Sequence, residues 1–311
     1  LAGKAQGKGL LKNADGSSYE GDFIDGKFHG RGILKFADGG SMESDFIQGL
    51  ANGKGIMKAS DGTVYDGIYA SGKLNGLGQF ARPDGLFFQG TFLNGKAEGQ
   101  GLLKRPDGSS YEGGFHDNKY HGKGVLKYPN GDVYEGDFFD GLRHGRGTWK
   151  SNDGSSYEGG FIQDKFHGEG VFKGGNGYSF TGNYVAGRRE GQGVAKYADG
   201  TVYEGNFHNG AAQGRGVLKL VGGNYYEGDF WDDKFHGKGI FHWAIGDVYE
   251  GDFLQGKRHG QGTMKYITGS SYVGGYVEDK KQGQGTSYDA AGNVLHQGAW
   301  NKDQFVGSSN V

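Results

Sequence analysis

Hydrophobic and polar positions alternate along short runs of this chain. In SYEGDF, residues 18–23, Tyr19, Gly21 and Phe23 fall on one side and Glu20 and Asp22 on the other, and GRGILKF, residues 30–36, alternates likewise. A period of two marks a β-strand with two unlike faces. Two such runs separated by six residues that include Gly26 predict a β-hairpin. Symmetry about that turn pairs Phe23 with Gly30, Gly21 with Gly32 and Tyr19 with Leu34. Large rings then lie over bare glycine backbone, and any side chain there would displace them, which explains glycine despite its entropic cost.

The hairpin recurs. Tyr19, Met42, Tyr65, Phe88, Tyr111, Tyr134, Tyr157, Phe180, Tyr203, Tyr226, Tyr249 and Tyr272 are each 23 residues apart, and a thirteenth copy, His296 to Trp300, arrives one residue late. A fixed period of this size is the mark of an array of stacked supersecondary units. Links such as ADGGS, residues 37–41, keep a glycine in every copy, as a tight turn with one residue at positive φ requires. Their odd length returns each Tyr to the same face. The expected fold is all-β: an elongated single-layer antiparallel meander of tandem 23-residue β-hairpin repeats, a twisted ribbon, running as one continuous array over residues 1–311. It comprises about 13 repeats, with a partial repeat at 1–12 and a degenerate cap at about 287–311, where Gly307-Ser308-Ser309 replaces Gly-x-Gly. The chain opens at Leu1 inside a repeat, which reads as a fragment or a lost start, with room for an upstream domain.

Composition alone would suggest disorder, with 68 Gly in 311 residues and only 3 Pro. Yet 59 of those glycines occupy fixed slots of the repeat, so they are structural. Lys and Arg number 34 against 36 Asp and Glu, without a polybasic run, which argues against an electrostatic grip on nucleic acid. Zero Cys excludes disulfides and thiolate metal sites. No signal peptide or apolar span of membrane length is visible, and the expected setting is cytoplasmic. On the face away from the rings, a Glu row (Glu20, Glu43, Glu112, Glu135 and onward) and a Lys row (Lys12, Lys35, Lys58, Lys104 and onward) are expected to neutralise each other across the ladder.

The motif Y-E-G-x-F, then x-x-G-x-x-H-G-x-G, then Asp-Gly about eight residues later, resembles the MORN repeat (membrane occupation and recognition nexus) over essentially the whole chain. The resemblance implies cytoskeletal, ciliary or membrane-contact scaffolds that bind protein partners through a groove, several of which self-associate end to end.

Catalytic chemistry finds no support in the residues. Six histidines precede Gly-x-Gly, but the same slot holds Asn52, Asn75, Glu98, Glu190, Gln213 and Gln282, which marks a polar turn position. Near-equivalent hairpins offer no single asymmetric pocket, and Gly-x-Gly lies in strand context without a following helix. The chain is expected to be no enzyme, with no cofactor and no metal. The candidate partner groove, for a helix or extended peptide, is the row Tyr111, Phe115, Tyr134, Phe138, Tyr157, Phe161, Tyr203, Phe207, Tyr226, Phe230, Tyr249 and Phe253. The alternative is a phosphoinositide or anionic-lipid site on Lys127, Lys150, Lys173, Arg143, Arg189 and Arg258. A third reading makes the chain a targeting or regulatory segment of a larger enzyme. Self-association is assigned to Tyr272, Tyr276 and Trp300. Before the His-Gly slot, aromatic and basic residues partly alternate (Tyr120, Arg143, Phe166, Arg189), which fits either duplication of a two-repeat unit or cation–π contacts along one edge. Met42 and Ser44 in repeat two are expected to weaken the stack there.

Overall fold

The structure, a computed structural model, describes residues 3–307. The described residues form strands and turns only, 27 strands in all. Contacts divide the chain into two compact units, Leu1–Asn152 with Ile162–Asp164, and Asp153–Phe161 with Lys165–Val311. Such a division suits a chain whose strands pair with their sequence neighbours and share no central core. Residues 308 and 309 of the degraded Gly-Ser-Ser lie outside the described residues.

Within the first unit successive strands pair antiparallel, as the meander requires. Strand Ser18–Ile24 pairs with Lys27–Lys35, and the expected pairs Tyr19 with Leu34 and Gly21 with Gly32 are present. The expected six-residue turn and the pair Phe23 with Gly30 are not. The chain turns at Asp25-Gly26, both left-handed at φ 53° and 79°, the two-residue turn whose twist matches paired strands. Phe23 therefore lies opposite Phe28, and the register breaks between Gly21 and Asp22. Gly30 sits in that bulge at φ 59° and pairs instead with Phe46 of the next strand.

The second unit repeats the plan. Tyr203 pairs with Leu218, Gly205 with Gly216 and Phe207 with Ala212, around a turn at Asn209-Gly210. Turns without glycine, such as Asp232-Asp233, keep both residues left-handed, which short polar side chains tolerate.

The core of most repeats is the tyrosine ring laid across the paired glycines, with Phe88 and Phe180 in the same place in repeats four and eight. A Cβ added to Gly21 would stand 2.5 Å from the Tyr19 hydroxyl, and one on Gly216 would stand 2.5 Å from that of Tyr203. Beside the bulge, the tyrosine hydroxyl donates to the carbonyl three residues on. Tyr111 reaches Gly114 O at 2.9 Å and Tyr134 reaches Asp137 O at 3.0 Å; in the second unit Tyr203 and Tyr226 reach Asn206 O and Asp229 O, both at 2.9 Å. Most of these rings also meet two others edge-on, the aromatic residue four positions on in their own repeat and its counterpart in the next. Tyr111 stands 5.1 Å from Phe115 and 5.0 Å from Phe138, and Tyr226 stands 5.1 Å from Phe230 and 5.0 Å from Phe253. Edge contacts of this kind add about 0.5–1.5 kcal/mol each beyond the area buried.

Repeat two solves the same problem with other atoms. Met42 and Ser44 are both buried, and Ser44 Oγ lies 3.4 Å from Lys54 O, so its hydroxyl serves the space that a tyrosine hydroxyl serves elsewhere. The Met–Ser pair is a self-consistent replacement for Tyr–Gly. In repeat three Leu74 lies against Gly67 and Gly78, and Tyr65 is turned toward Phe80 at 5.9 Å.

The rows on the far face differ from expectation. Glu20 lies opposite Leu10 and Ile33, and Lys35 opposite Ser18 and Ser41, so the two rows occupy different levels of the ladder. Ion pairs instead join residues nearer the hairpin turns, such as Lys123 with Asp137 at 2.8 Å and Lys238 with Asp252 at 2.6 Å.

Met42→Tyr alone should overpack repeat two by about 1–3 kcal/mol and speed amide exchange in Ser41–Ile47 and Leu50–Lys58. Adding Ser44→Gly should restore protection. Unchanged exchange in the single variant would show that the two positions are not coupled.

Candidate interaction surface

Above most of the tyrosines lies a second tier, supplied by the second residue after the hairpin turn. In the first unit Phe28 stacks on Tyr19 at 3.8 Å and Tyr120 on Tyr111 at 3.7 Å, while Arg143 spreads over Tyr134 at 5.6 Å. In the second, Phe166 covers Tyr157 at 3.7 Å and Phe235 covers Tyr226 at 3.9 Å. Arg189 lies 4.9 Å from the Phe207 ring, Arg258 5.6 Å from Tyr249 and Lys281 4.6 Å from Tyr272. The alternation of rings and cations is thus a set of lids on top of the tyrosines, and the cation–π contacts fall on the same repeat's ring as well as on the following one.

The lids are held by the next hairpin turn. The second turn residue donates its N–H to the carbonyl of the preceding lid, as Gly49 does to Phe28 and Gly256 to Phe235. Where that turn residue is Asp, its carboxylate returns a second contact. Asp164 Oδ1 accepts from Arg143 N and Nε, both at 3.0 Å, and Asp279 Oδ1 accepts from Arg258 N at 2.9 Å and Nε at 3.2 Å. Sequence reasoning missed these clamps; their signal is the restriction of that turn position to Gly, Asn and Asp.

All twelve rings of the candidate groove lie beneath this tier. None exceeds 5% exposure, from Tyr134 at 0% to Phe253 at 5%, so they are the core of the layer and not its outer surface. Burial also moves their chemistry. Desolvation pushes the Tyr157 and Tyr272 hydroxyls up to about 12, and raises those of Tyr111, Tyr134, Tyr203, Tyr226 and Tyr249 as well. Tyr272, Tyr276 and Trp300, the self-association candidates, are buried too, and Trp300 Nε1 donates to Gly285 O at 3.1 Å.

The lipid candidates do not converge. Lys127, Lys150 and Lys173 project from the face away from the rings, because each follows a ring-face residue by one position. Arg143, Arg189 and Arg258 lie on the ring face. Arg143 and Arg258 are held by Asp164 and Asp279, while Arg189 donates to Tyr178 and to the Gly210 carbonyl. One headgroup cannot touch both sets.

The surface left open is the far face. The residue closing the first strand of a hairpin points there and is exposed: Ile24, Ile47, Leu93 and Phe139 in the first unit, Val185, Trp231, Leu254 and Val277 in the second. Phe139 is 60% exposed and Trp231 58%. Histidines of the His-Gly slot flank them. The Phe139 ring lies 5.4 Å from His121 and 5.8 Å from His144, and Trp231 lies 6.5 Å from His236. In the second unit this face also holds an open trough of about 610 Å³ lined by Arg215, Glu227, Lys238, Ile240, Glu250 and Thr263. Among the described residues no group of three or more His, Asp and Glu could hold a metal ion.

The family profile described as MORN repeat matches twelve consecutive segments, from 19–41 to 272–294. The chain belongs to the MORN-repeat family. No match is found among curated proteins. Among solved structures, the TCP10 domain of Danio rerio CPAP in complex with a peptide of Danio rerio STIL aligns with this MORN chain at TM-score 0.28 and 11% identity, over 94% of this chain and 99% of that one. The TCP domain of Drosophila melanogaster SAS-4 (dCPAP), in complex with a proline-rich motif of Ana2, gives 0.30 and 14% over 60% and 97%. TM-scores this low carry no inference about the MORN chain.

Because the buried hydroxyls bind their protons more tightly than the unfolded chain does, stability from the tyrosine seats is complete below pH about 10 and is lost as pH rises through about 12. Phenolate absorbance should therefore rise together with loss of the sheet signal in circular dichroism. Ionisation of these tyrosines near pH 10 with the sheet intact would contradict the burial.

Proposed function

We propose that this MORN chain is a non-catalytic scaffold that binds a protein partner along the far face of its repeats. The observation that carries the reading is the exposed apolar residue at one fixed position of the hairpin, recurring about every ~10 Å, two strands per step. Scattered apolar side chains need no explanation, but a row in register offers a linear partner equivalent footholds. Tyrosine and phenylalanine of the repeat motif then serve the fold, and recognition falls to positions at which the repeats differ. A cytoskeletal, ciliary or membrane-contact assembly in the cytoplasm, the setting that the resemblance implies, belongs to this proposal.

Anionic lipid is the second reading. It is favoured by Lys27, Lys73, Lys119 and Lys234, which lie across the hairpin from Ile24, Ala70, His116 and Trp231. Part of this charge is already engaged, since Lys119 pairs with Asp140, Lys96 with Asp117 and Lys257 with Glu278. We therefore favour protein.

Phe139→Lys with Trp231→Lys changes only outward-facing side chains and should leave the melting temperature within a few degrees of the parent. Affinity capture from the native source should lose its specific protein in this variant. Full retention of every captured protein would sink the proposal, and salt-resistant binding to phosphatidylserine vesicles without a captured protein would transfer it to lipid. The double change Tyr134→Ser, Phe138→Ser cannot serve, because it removes core.

A further inference from the structure

The far face is not uniform, and repeats two to four (starting at Met42, Tyr65 and Phe88) depart from the rest. At the two bulge-side positions most repeats carry charged or polar residues, such as Asp22 with Arg31 or Asp252 with Gln261. Repeat three has Ile68 and Leu77 there, 42% and 72% exposed. Ile56, also exposed, pairs with Asp66 one step inward on the neighbouring strand, and Ile47 and Leu50 face each other at the turn edge. The apolar row, one residue wide elsewhere, broadens here into a strip.

Charge borders that strip on both banks. Lys27 and Lys73 stand on the turn side, Lys35 and Lys58 on the loop side, all exposed, and none of the four forms an ion pair among the described residues. The loop aspartates that could neutralise them are turned onto backbone, Asp38 to Gly40 N at 2.9 Å and Asp61 to Thr63 N at 2.8 Å. Within the strip Glu43 is paired with Arg31 at 2.9 Å, Asp45 lies opposite Arg31, and Asp66 lies opposite Ile56.

We propose that this strip docks an amphipathic α-helix whose aliphatic stripe is bordered by Asp and Glu; the proposal rests on the protein-scaffold reading and names its partner. Repeat pitch selects the conformation. Footholds about ~10 Å apart match a heptad of α-helix, about 10.5 Å, and return to the same helix face. An extended strand advances about 10 Å in three residues, which turns alternate footholds to opposite faces. A polyproline helix fits the pitch, yet it docks on aromatic-lined grooves, and this strip is aliphatic. Free lysines on both banks choose acidic flanks.

The test screens the full chain against a displayed library of random peptides of about 21 residues, three heptads long. Enriched peptides should carry heptad-spaced aliphatics flanked by Asp or Glu and gain helical dichroism on binding. Ile56→Lys with Leu77→Lys should weaken them at least about tenfold by fluorescence anisotropy without changing the melting temperature, and Thr263→Lys should leave them unaffected. Peptides that are proline-rich, lysine-flanked or indifferent to the Ile56, Leu77 variant would overturn the proposal. If they depend on Trp231 instead, the strip is refuted while the scaffold reading stands; a library that yields no binder refutes both.

Discussion

A tyrosine ring resting on two glycines without side chains is the contact from which the rest of each repeat follows. It fixes Gly-x-Gly opposite Tyr-x-Gly, since a Cβ on Gly21 or Gly216 would collide with the ring. It ties the ring to the bulge, where a carbonyl receives the hydroxyl, as Tyr134 donates to Asp137 O. It fixes the neighbours, because a seated ring meets an aromatic edge on either side, one from its own repeat and one from the next, as Tyr111 meets Phe115 and Phe138. Repeat two shows that the constraint concerns space and a hydrogen bond more than residue identity, for Met42 and Ser44 fill the same seat.

Strand pairing was legible because period-two alternation and the 23-residue repeat leave one register for Tyr19 with Leu34 and Gly21 with Gly32. The turn was misjudged because Gly30 reads as an ordinary strand glycine, and only its φ of 59° reveals the bulge that tightens the hairpin to Asp25-Gly26. The alternation of rings and cations before the His-Gly slot is visible in the letters, but that Phe28, Arg143 and Lys281 lie on top of the tyrosines is not. They share the property of covering a ring. Alternation could have separated Lys127 from Arg143 in the lipid set, because a residue one step past a ring-face position must point away from the rings.

Two faces with different tasks result. The ring face is closed by lids and clamped by turn residues such as Asp164 and Asp279, so its conserved-looking aromatics build stability. Exposed side chains of the far face vary from copy to copy over a constant backbone, which lets one MORN array present charge in the Arg215–Lys238 trough and aliphatic surface around Ile68 and Leu77. Divergence of single outward positions can then alter recognition without touching the fold.

The most direct measurement is amide hydrogen exchange on the full chain carrying Tyr134→Ala. Emptying one seat should unprotect Val133–Phe139 and Leu142–Lys150, and the adjoining Lys119–Lys127, while strands three repeats away, such as Val64–Ala70, exchange as in the parent. Uniform loss of protection along the chain, or none in those three strands, would contradict the account that each repeat stands on its own tyrosine and glycine pair.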